Sequence, residues 1–391
     1  MEFKALGNIL RVFCCVHRRV GDCLEIKYMK RALELARQGA GYTNPNPLVG
    51  AVIVKEGRII GEGYHRVYGS HHAEINAFLS AREDVKGSTM YVTLEPCAHE
   101  GKTPPCAKAI VEKGIKKVVI GLKDPNPLVA GKGIKILEDA GIEVLSGVLE
   151  DESRRLNEIF LKYIVSGMPF VIMKTAMTLD GKIATWTHES QWISGELSRQ
   201  YVHETRHKVA GIMVGIGTVL ADNPSLTTRL EDKKGRDPIR IIVDSQGKIP
   251  LEARVLNLKS QARTIVAVTE QADQGKLKQL EAKGAEVIVI PSQNKKVDLA
   301  LLMQELGKRQ IDSILLEGGS QLNYSALEAG IVDKVNAFIA PKIIGGERAK
   351  TPVGGQGKAS MKEAINLHET KIHRFGEDIM IEAYIKKEAR G

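Results

Sequence analysis

From Ile26 onward the apolar residues Ile26, Met29, Leu33 and Ala36 recur at the three-and-four spacing of one helix face, and Gly39 and Gly41 stop the run. After the Asn44-Pro45-Asn46-Pro47 turn the period changes. Val49 to Val54 reads as a short apolar strand, Lys55-Glu56-Gly57-Arg58 reverses the chain, and Ile59-Ile60 begins the return. A second helix starts within His71 to Ala77, and a strand covers Thr89 to Leu94. The order helix, hairpin, helix, strand, helix predicts an α/β domain. That domain closes near Val144, and Asp151 to Lys162 reads as a charged helix. Beyond Gly167-Met168-Pro169, strand-like runs at Phe170 to Ala176, Gly211 to Gly215, Ile239 to Asp244, Thr264 to Val268, Val287 to Ile290, Ser313 to Leu316 and Lys334 to Ile339 alternate with helical stretches. Such alternation predicts a largely parallel sheet with helices on its faces and ligands bound beyond the C-terminal strand ends.

At 391 residues the chain exceeds the size at which one hydrophobic core stops growing, so two domains are expected. We place them at 26–148 and 169–391, with a linker helix over 149–168 and a disordered extension over 1–25. The extension contains Val12-Phe13-Cys14-Cys15-Val16 between Arg11 and Arg18-Arg19, without the pattern of a signal peptide, and Met29 is the alternative start. No stretch reaches the roughly 18 apolar residues of a membrane span, so no membrane partner and a cytoplasmic location are expected. The net charge of +9 is spread along the chain and only 5% of residues are aromatic, which speaks against a nucleic-acid groove and leaves phosphorylated small molecules as partners.

Composition bears on chemistry through the cysteines. Three of five, Cys14, Cys15 and Cys23, sit in the extension, whereas Cys97 and Cys106 flank a proline-rich loop, where a reducing compartment favours metal ligation over a disulfide. With His72 they supply three nitrogen and sulfur ligands, leaving a fourth tetrahedral position for water, and Glu74 supplies a carboxylate outside the ligand set. His71 and His99 are rival ligands by residue type. Glu74 would take a proton from the water and deliver it to a ring nitrogen and then to the departing amine. Taken singly, a His-x-Glu pair on a helix or two buried cysteines are unremarkable. In this order, with flanking prolines, they form the constellation of a zinc deaminase acting on a nucleobase. Asn46 and His65 are either substrate contacts or, for Asn46, a turn former.

In the second half, Glu317-Gly318-Gly319-Ser320 follows a strand. The glycines permit close backbone approach, and a helix starting near Ser320 would aim free amides at a phosphate; a plain tight turn is the other reading. Arg206 and Arg229 are suited to bidentate phosphate binding or to a solvated surface, and Glu317 to accepting from sugar hydroxyls or ring amines. Lys174 and Asp180 are candidates for orienting or protonating a sugar, with an ion pair or a turn as the equal alternative.

Eight residues separate Cys97 from Cys106, where most nucleobase deaminases have two. The segment Glu95-Pro96-Cys97-Ala98-His99 ending in Thr103-Pro104-Pro105-Cys106 resembles the bifunctional riboflavin-biosynthesis family. So do Asn44 to Pro47, Asp124-Pro125-Asn126-Pro127, Lys174 to Gly181, Glu189 to Ser194, Gly217 to Pro224, Asp244-Ser245, Glu317-Gly318-Gly319 and Pro341 to Gly346. The resemblance covers nearly everything after residue 26. It implies an N-terminal cytidine-deaminase-like domain with one zinc ion per chain, and a C-terminal dihydrofolate-reductase-like domain using NADPH. NADPH contacts are implied at Ala176, Trp192, Thr218, Asp222, Ser245, Gly319, Ser320, Gln321, Leu322, Asn323, Tyr324 and Ser325. Substrate contacts are implied at Ser190, Arg206, Leu226, Arg229 and Glu317. Lys174 is the candidate for the catalytic role, and a homo-oligomer is the expected assembly. The implied reactions are hydrolytic deamination of a 2,5-diamino-6-ribosylamino-pyrimidinone phosphate and reduction of its ribosyl group to ribityl. A nucleoside or tRNA deaminase and a non-catalytic zinc-stabilised binding protein are the competing readings. A structural zinc site would close with a fourth ligand and has no use for Glu74.

Overall fold

A computed structural model describes residues 23–98, 105–126, 130–231 and 235–386. The chain divides between Val165 and Ser166 into two compact units, and each is taken by itself.

In the first unit, helix α1 (23–37) precedes strands β1 (Gly50–Lys55) and β2 (Arg58–Tyr64), which form the expected hairpin. Helix α2 (Ala73–Ser80), β3 (Thr89–Leu94), α3 (Cys106–Glu112), β4 (Lys117–Leu122), α4 (Lys132–Asp139) and β5 (Glu143–Ser146) follow. The sheet order is β2-β1-β3-β4-β5, antiparallel through β3 and parallel after it. β1 is buried on both faces, which explains its unbroken apolar run. Ala51 and Ile53 pack with Ala73, Ala77, Ile110 and Leu137, while Val52 and Val54 point the other way onto Met29, Ala32 and Leu33 of α1.

Two boundaries differ from the sequence reading. Residues 23–25, assigned to the extension, are already helical, and Glu25 pairs with Lys117 at 2.9 Å; residues 1–22 lie outside those described. The segment read as one linker helix is two, α5 (Glu150–Leu156) and α6 (Glu158–Ser166), and both belong to the first unit. Leu156 and Phe160 enter its two cores, and the Asn157 side chain holds Leu48 by two hydrogen bonds, of 2.8 and 3.0 Å. A charged surface on α5 concealed the apolar residues that bind the pair to the sheet.

In the second unit, β6 (Phe170–Thr178), α7 (Glu196–Lys208), β7 (Gly211–Gly215), α8 (Ile216–Asp222), β8 (Ile239–Val243), β9 (Thr264–Val268), α9 (Gln274–Ala282) and β10 (Glu286–Val289) come first. A two-residue ladder, β11 (Ser292–Gln293) with β12 (Lys296–Val297), leads to α10 (Leu299–Lys308), β13 (Ser313–Leu316), α11 (Ser320–Glu328), β14 (Lys334–Ala340), β15 (Leu367–Phe375) and β16 (Asp378–Ile385). The nine-stranded sheet runs β10-β9-β8-β7-β13-β6-β14-β16-β15. Its first seven strands are parallel, as expected, and each face carries its own core: Val171, Met213, Leu302 and Leu306 on one, Ile212, Val214, Val266 and Leu280 on the other. The antiparallel β15–β16 hairpin is absent from the sequence reading. β15 is exposed along nearly its whole length and so lacks the apolar alternation that marks a half-buried strand.

β13 lies between β6 and β7, so chain order reverses around it. A crevice beyond the C-terminal ends of these strands is the expected outcome of that reversal.

Candidate active sites

His72 sits at the N-cap position of α2, so its side chain projects from the helix mouth, and Glu74 lies inside the first turn. β3 runs straight into Glu95-Pro96-Cys97, and Cys106 is the first residue of α3. These elements bring His72 Nδ1 to 3.6 Å from Cys97 Sγ and 3.3 Å from Cys106 Sγ, with all three ligand atoms within 4.8 Å of one another. In a tetrahedral zinc site, bonds of about 2.0 Å to nitrogen and 2.3 Å to sulfur put N and S about 3.5 Å apart. The donor set and its spacing therefore fit zinc. His71 is outside this group, and its carbonyl accepts from His65 Nδ1 and Asn76 Nδ2; His99 lies outside the described residues.

Charge in the site follows from burial. The Cys97 thiol is drawn down to about 4 by hydrogen bonds from Cys106 and His72, and Cys106 is pushed up because its proton is shared with the Cys97 thiolate. A thiolate at neutral pH is the form that ligates metal. Glu74 is 3% exposed, and burial pushes its carboxyl up to about 7 against the pull of His72. That places it where a group can both take and return a proton near neutrality. His65 and Asn46 stand together beside the metal ligands. Their side chains are 3.2 Å apart, and the His65 ring meets His72 edge-on with centroids 5.6 Å apart.

Glu95 is a residue that sequence reading quoted but gave no role. Its buried carboxylate accepts four backbone N–H groups, from Asp124, Gly131, Gly133 and Ile134, at 3.0–3.2 Å. It thereby ties the start of α4 to the strand end that carries Cys97. A Cβ on Gly133 would meet the Pro96 carbonyl oxygen at 2.0 Å, which explains glycine there. No local sequence signal reports this, because all four donors are main-chain groups distant in sequence.

The second unit holds a cavity of about 1140 Å³ at the strand reversal, lined by Lys174, Ala176, Ser190, Trp192, Arg206, Thr218, Asp222, Arg229, Glu317, Gly319 and Asn323 among others. Its volume exceeds the usual 300–1,000 Å³ of a single small-molecule pocket and suits a dinucleotide with a second ligand. Gly319, the N-cap of α11, lines the cavity, so the amide end of that helix lies at its wall. Asn323 Oδ1 is buried without a hydrogen-bond partner, while its Nδ2 donates to the Pro352 carbonyl at 2.9 Å. A helix amide end, an unmatched acceptor and two glycines at a strand end fit a nucleotide cofactor.

Seven expected contacts do not line this cavity. Ser320, Gln321, Leu322, Tyr324 and Ser325 lie on α11, where successive residues turn about 100° and only Asn323, one turn after Gly319, returns to the cavity side. Leu322 packs against the core on one face of the sheet and Leu226 is buried in the core on the other, so both offer at most main-chain groups. Ser245 Oγ accepts the Val297 N–H at 3.1 Å. Asp180, away from the cavity lining, accepts the Ile344 and Gly345 N–H groups, which makes it a turn anchor.

At the cavity's base, Arg206 Nε and Nη2 donate to the two Glu317 oxygens at 2.6 and 2.9 Å, and Arg206 Nη1 donates to the Thr227 carbonyl. The bidentate edge expected to grip a phosphate is therefore spent on Glu317. Lys174 Nζ lies 4.0 Å from the same carboxylate. Burial works to raise the Glu317 carboxyl, but the charges of Arg206 and Lys174 outweigh it and hold it down to about 2. Burial lowers Lys174 despite the attraction of Glu317. A lysine in that position gives up its proton more readily than one in water.

Two family profiles match the chain: the cytidine and deoxycytidylate deaminase zinc-binding region over residues 24–122, and the RibD C-terminal domain over 169–381. The chain is 52% identical over 358 residues to riboflavin biosynthesis protein RibD of Actinobacillus pleuropneumoniae, covering 92% of this chain and 94% of that one. Among solved structures, Acinetobacter baumannii RibD superposes with a TM-score of 0.84 at 37% identity, covering 94% of this chain and all of its own. A diaminohydroxyphosphoribosylaminopyrimidine deaminase/5-amino-6-(5-phosphoribosylamino)uracil reductase from Thermotoga maritima does so with 0.81 at 40% identity and the same coverage.

Proposed function

The chain belongs to the RibD family of riboflavin biosynthesis proteins, and from that premise we propose how its residues divide the work. It is a bifunctional enzyme of riboflavin biosynthesis, a zinc-dependent deaminase and an NADPH-dependent reductase. The first unit deaminates 2,5-diamino-6-(5-phosphoribosylamino)pyrimidin-4-one, and the second reduces the ribosyl side chain of the product to give 5-amino-6-(5-phosphoribitylamino)uracil. The convergence of His72, Cys97 and Cys106 beside buried Glu74 carries the reading.

When bound, zinc supplies an acidified water and NADPH a hydride. Around them, His72, Cys97 and Cys106 hold the metal, and Glu74 moves protons: one from the attacking water to the ring nitrogen, then one to the amine that leaves as ammonia. Asn46 and His65 orient the pyrimidine edge. In the second unit, Ala176, Trp192, Thr218, Asp222, Gly319 and Asn323 hold the dinucleotide, with Ser245 and the rest of 320–325 contributing through main-chain groups or after adjustment. Ser190, Arg206, Arg229 and Glu317 hold the phosphorylated sugar, with Leu226 contributing its backbone. Lys174 delivers the proton that accompanies hydride addition at the sugar carbon, and Arg206 keeps Glu317 ionised to support it.

The testing experiment supplies the diaminopyrimidine ribosyl phosphate to zinc-loaded protein, first without and then with NADPH. Ammonia release in the first stage and NADPH oxidation only in the second are expected. A zinc-loaded protein that releases no ammonia from this substrate would sink the assignment.

The protein works in the cytoplasm as a homo-oligomer. Thiol ligands at the zinc site suit a reducing compartment, and no helix among the described residues is long and apolar enough to cross a membrane. β15 supports self-association: it is the sheet's edge, and it exposes Leu367 at 45% and Ile372 at 73%. Ile372→Lys is expected to shift the sedimenting species toward the monomer while both activities of the folded units remain measurable. An unchanged mass would remove β15 from the interface.

A further inference from the structure

With the forked edge of Arg206 turned to Glu317, the phosphate of the reductase substrate needs other donors. His203 stands one helical turn before Arg206 on α7 and lines the same cavity, and Arg229 faces it there. The Arg229 backbone N–H donates to His203 Nδ1 at 3.2 Å, and Arg229 Nη2 lies 3.3 Å from His203 Nε2. A neutral imidazole accepts at only one nitrogen, so both contacts are not hydrogen bonds at once. The main-chain donor is fixed in direction and claims Nδ1, which places the ring proton on Nε2. Nε2–H and the guanidinium then face each other as two donors at the wall of the cavity, with the Thr227 carbonyl also in reach of the ring. The ring is neutral there: burial first, then the charges of Arg206 and Arg229, push its pKa down to about 4.

We propose that His203 Nε2–H and the Arg229 guanidinium form a two-donor clamp for the phosphate of the reductase substrate, which makes His203 a specificity-determining residue. One phosphate oxygen placed between them satisfies both donors and relieves the opposition seen without it. The clamp rests on the reading that the phosphorylated sugar lies against Arg229. The opposite possibility is that His203 only anchors the backbone at Arg229 through Nδ1.

The test uses the full chain with His203→Asn, His203→Gln and Arg229→Gln, reading reductase KM and kcat, the inhibition constant of inorganic phosphate, and the deaminase rate of the same preparation as a check on folding. Asn reproduces the acceptor near Nδ1 but has no donor near Nε2; Gln restores a donor there. With the clamp, His203→Asn raises KM and weakens inorganic phosphate by on the order of tenfold each while kcat stays within about threefold, and His203→Gln recovers most of the loss. If His203→Asn keeps wild-type KM and His203→Gln loses it, His203 is a backbone anchor and the clamp is overturned. If Arg229→Gln leaves KM unchanged, the placement of the phosphorylated sugar is what fails. If Arg229→Gln raises KM and neither His203 variant does, the clamp alone is wrong.

Discussion

Replacing Glu74 with Gln is expected to lower ammonia release by about 10³-fold, the middle of the range for removing a general acid–base. Zinc content should stay at one per chain, because His72, Cys97 and Cys106 are untouched. The amide has the size of the carboxyl it replaces, so the buried pocket around it keeps its packing, but it moves no proton at neutral pH. NADPH oxidation on the separately supplied deaminated intermediate should be unchanged, since that chemistry resides in the second unit. Three readings on one preparation, ammonia, metal and NADPH, decide the matter. A Glu74→Gln enzyme that releases ammonia within a few-fold of wild type would show that another group carries the proton.

Glu317→Ala should damage the second unit in stability as well as activity. It removes the acceptor of two Arg206 hydrogen bonds and the neighbour of Lys174, leaving two largely buried cations without their anion. Losing one partner of a buried pair costs about 3–5 kcal/mol. The pH dependence carries the same information. The Glu317 carboxyl is depressed from its usual 4.5 to about 2, so the folded state binds its proton less readily than the unfolded chain. Its contribution, about 3 kcal/mol, is complete above roughly pH 4.5 and is lost as pH falls toward 2. Denaturant unfolding of the second unit should therefore show a wild-type advantage over Glu317→Ala at pH 7 that narrows from pH 4.5 downward. An advantage that is small at pH 7, or constant across this window, would mean that the ion pair is not what holds the site.

The deaminase site was legible because its chemistry is concentrated in short segments. His72 and Glu74 are two residues apart, and Cys97 follows a strand that its apolar run locates, with Cys106 marked by the flanking prolines. The reductase site is spread over five strand and helix ends between Lys174 and Asn323, so its members were named through resemblance. Resemblance marks Arg206 as a substrate contact but carries no sign that Glu317 occupies its fork, and it does not mark His203. It also included the run 320–325 whole, whereas a helix turns most of those side chains away from any one cavity.

What the amino-acid sequence by itself indicated is therefore most of the local elements, the two-unit division, and the candidate zinc ligands with their carboxylate. Each depends on period, turn chemistry or residue type within a short window. The tertiary structure decided the contacts of Glu95, Arg206 and His203, the attachment of α5 and α6 to the first core, and the β15–β16 edge. The physical reason is common to all of them. Hydrogen bonds to distant backbone amides, a buried ion pair between residues 111 positions apart and a strand paired on one side only leave no trace in local hydrophobic pattern. They exist once the chain has brought those groups together and excluded water from between them.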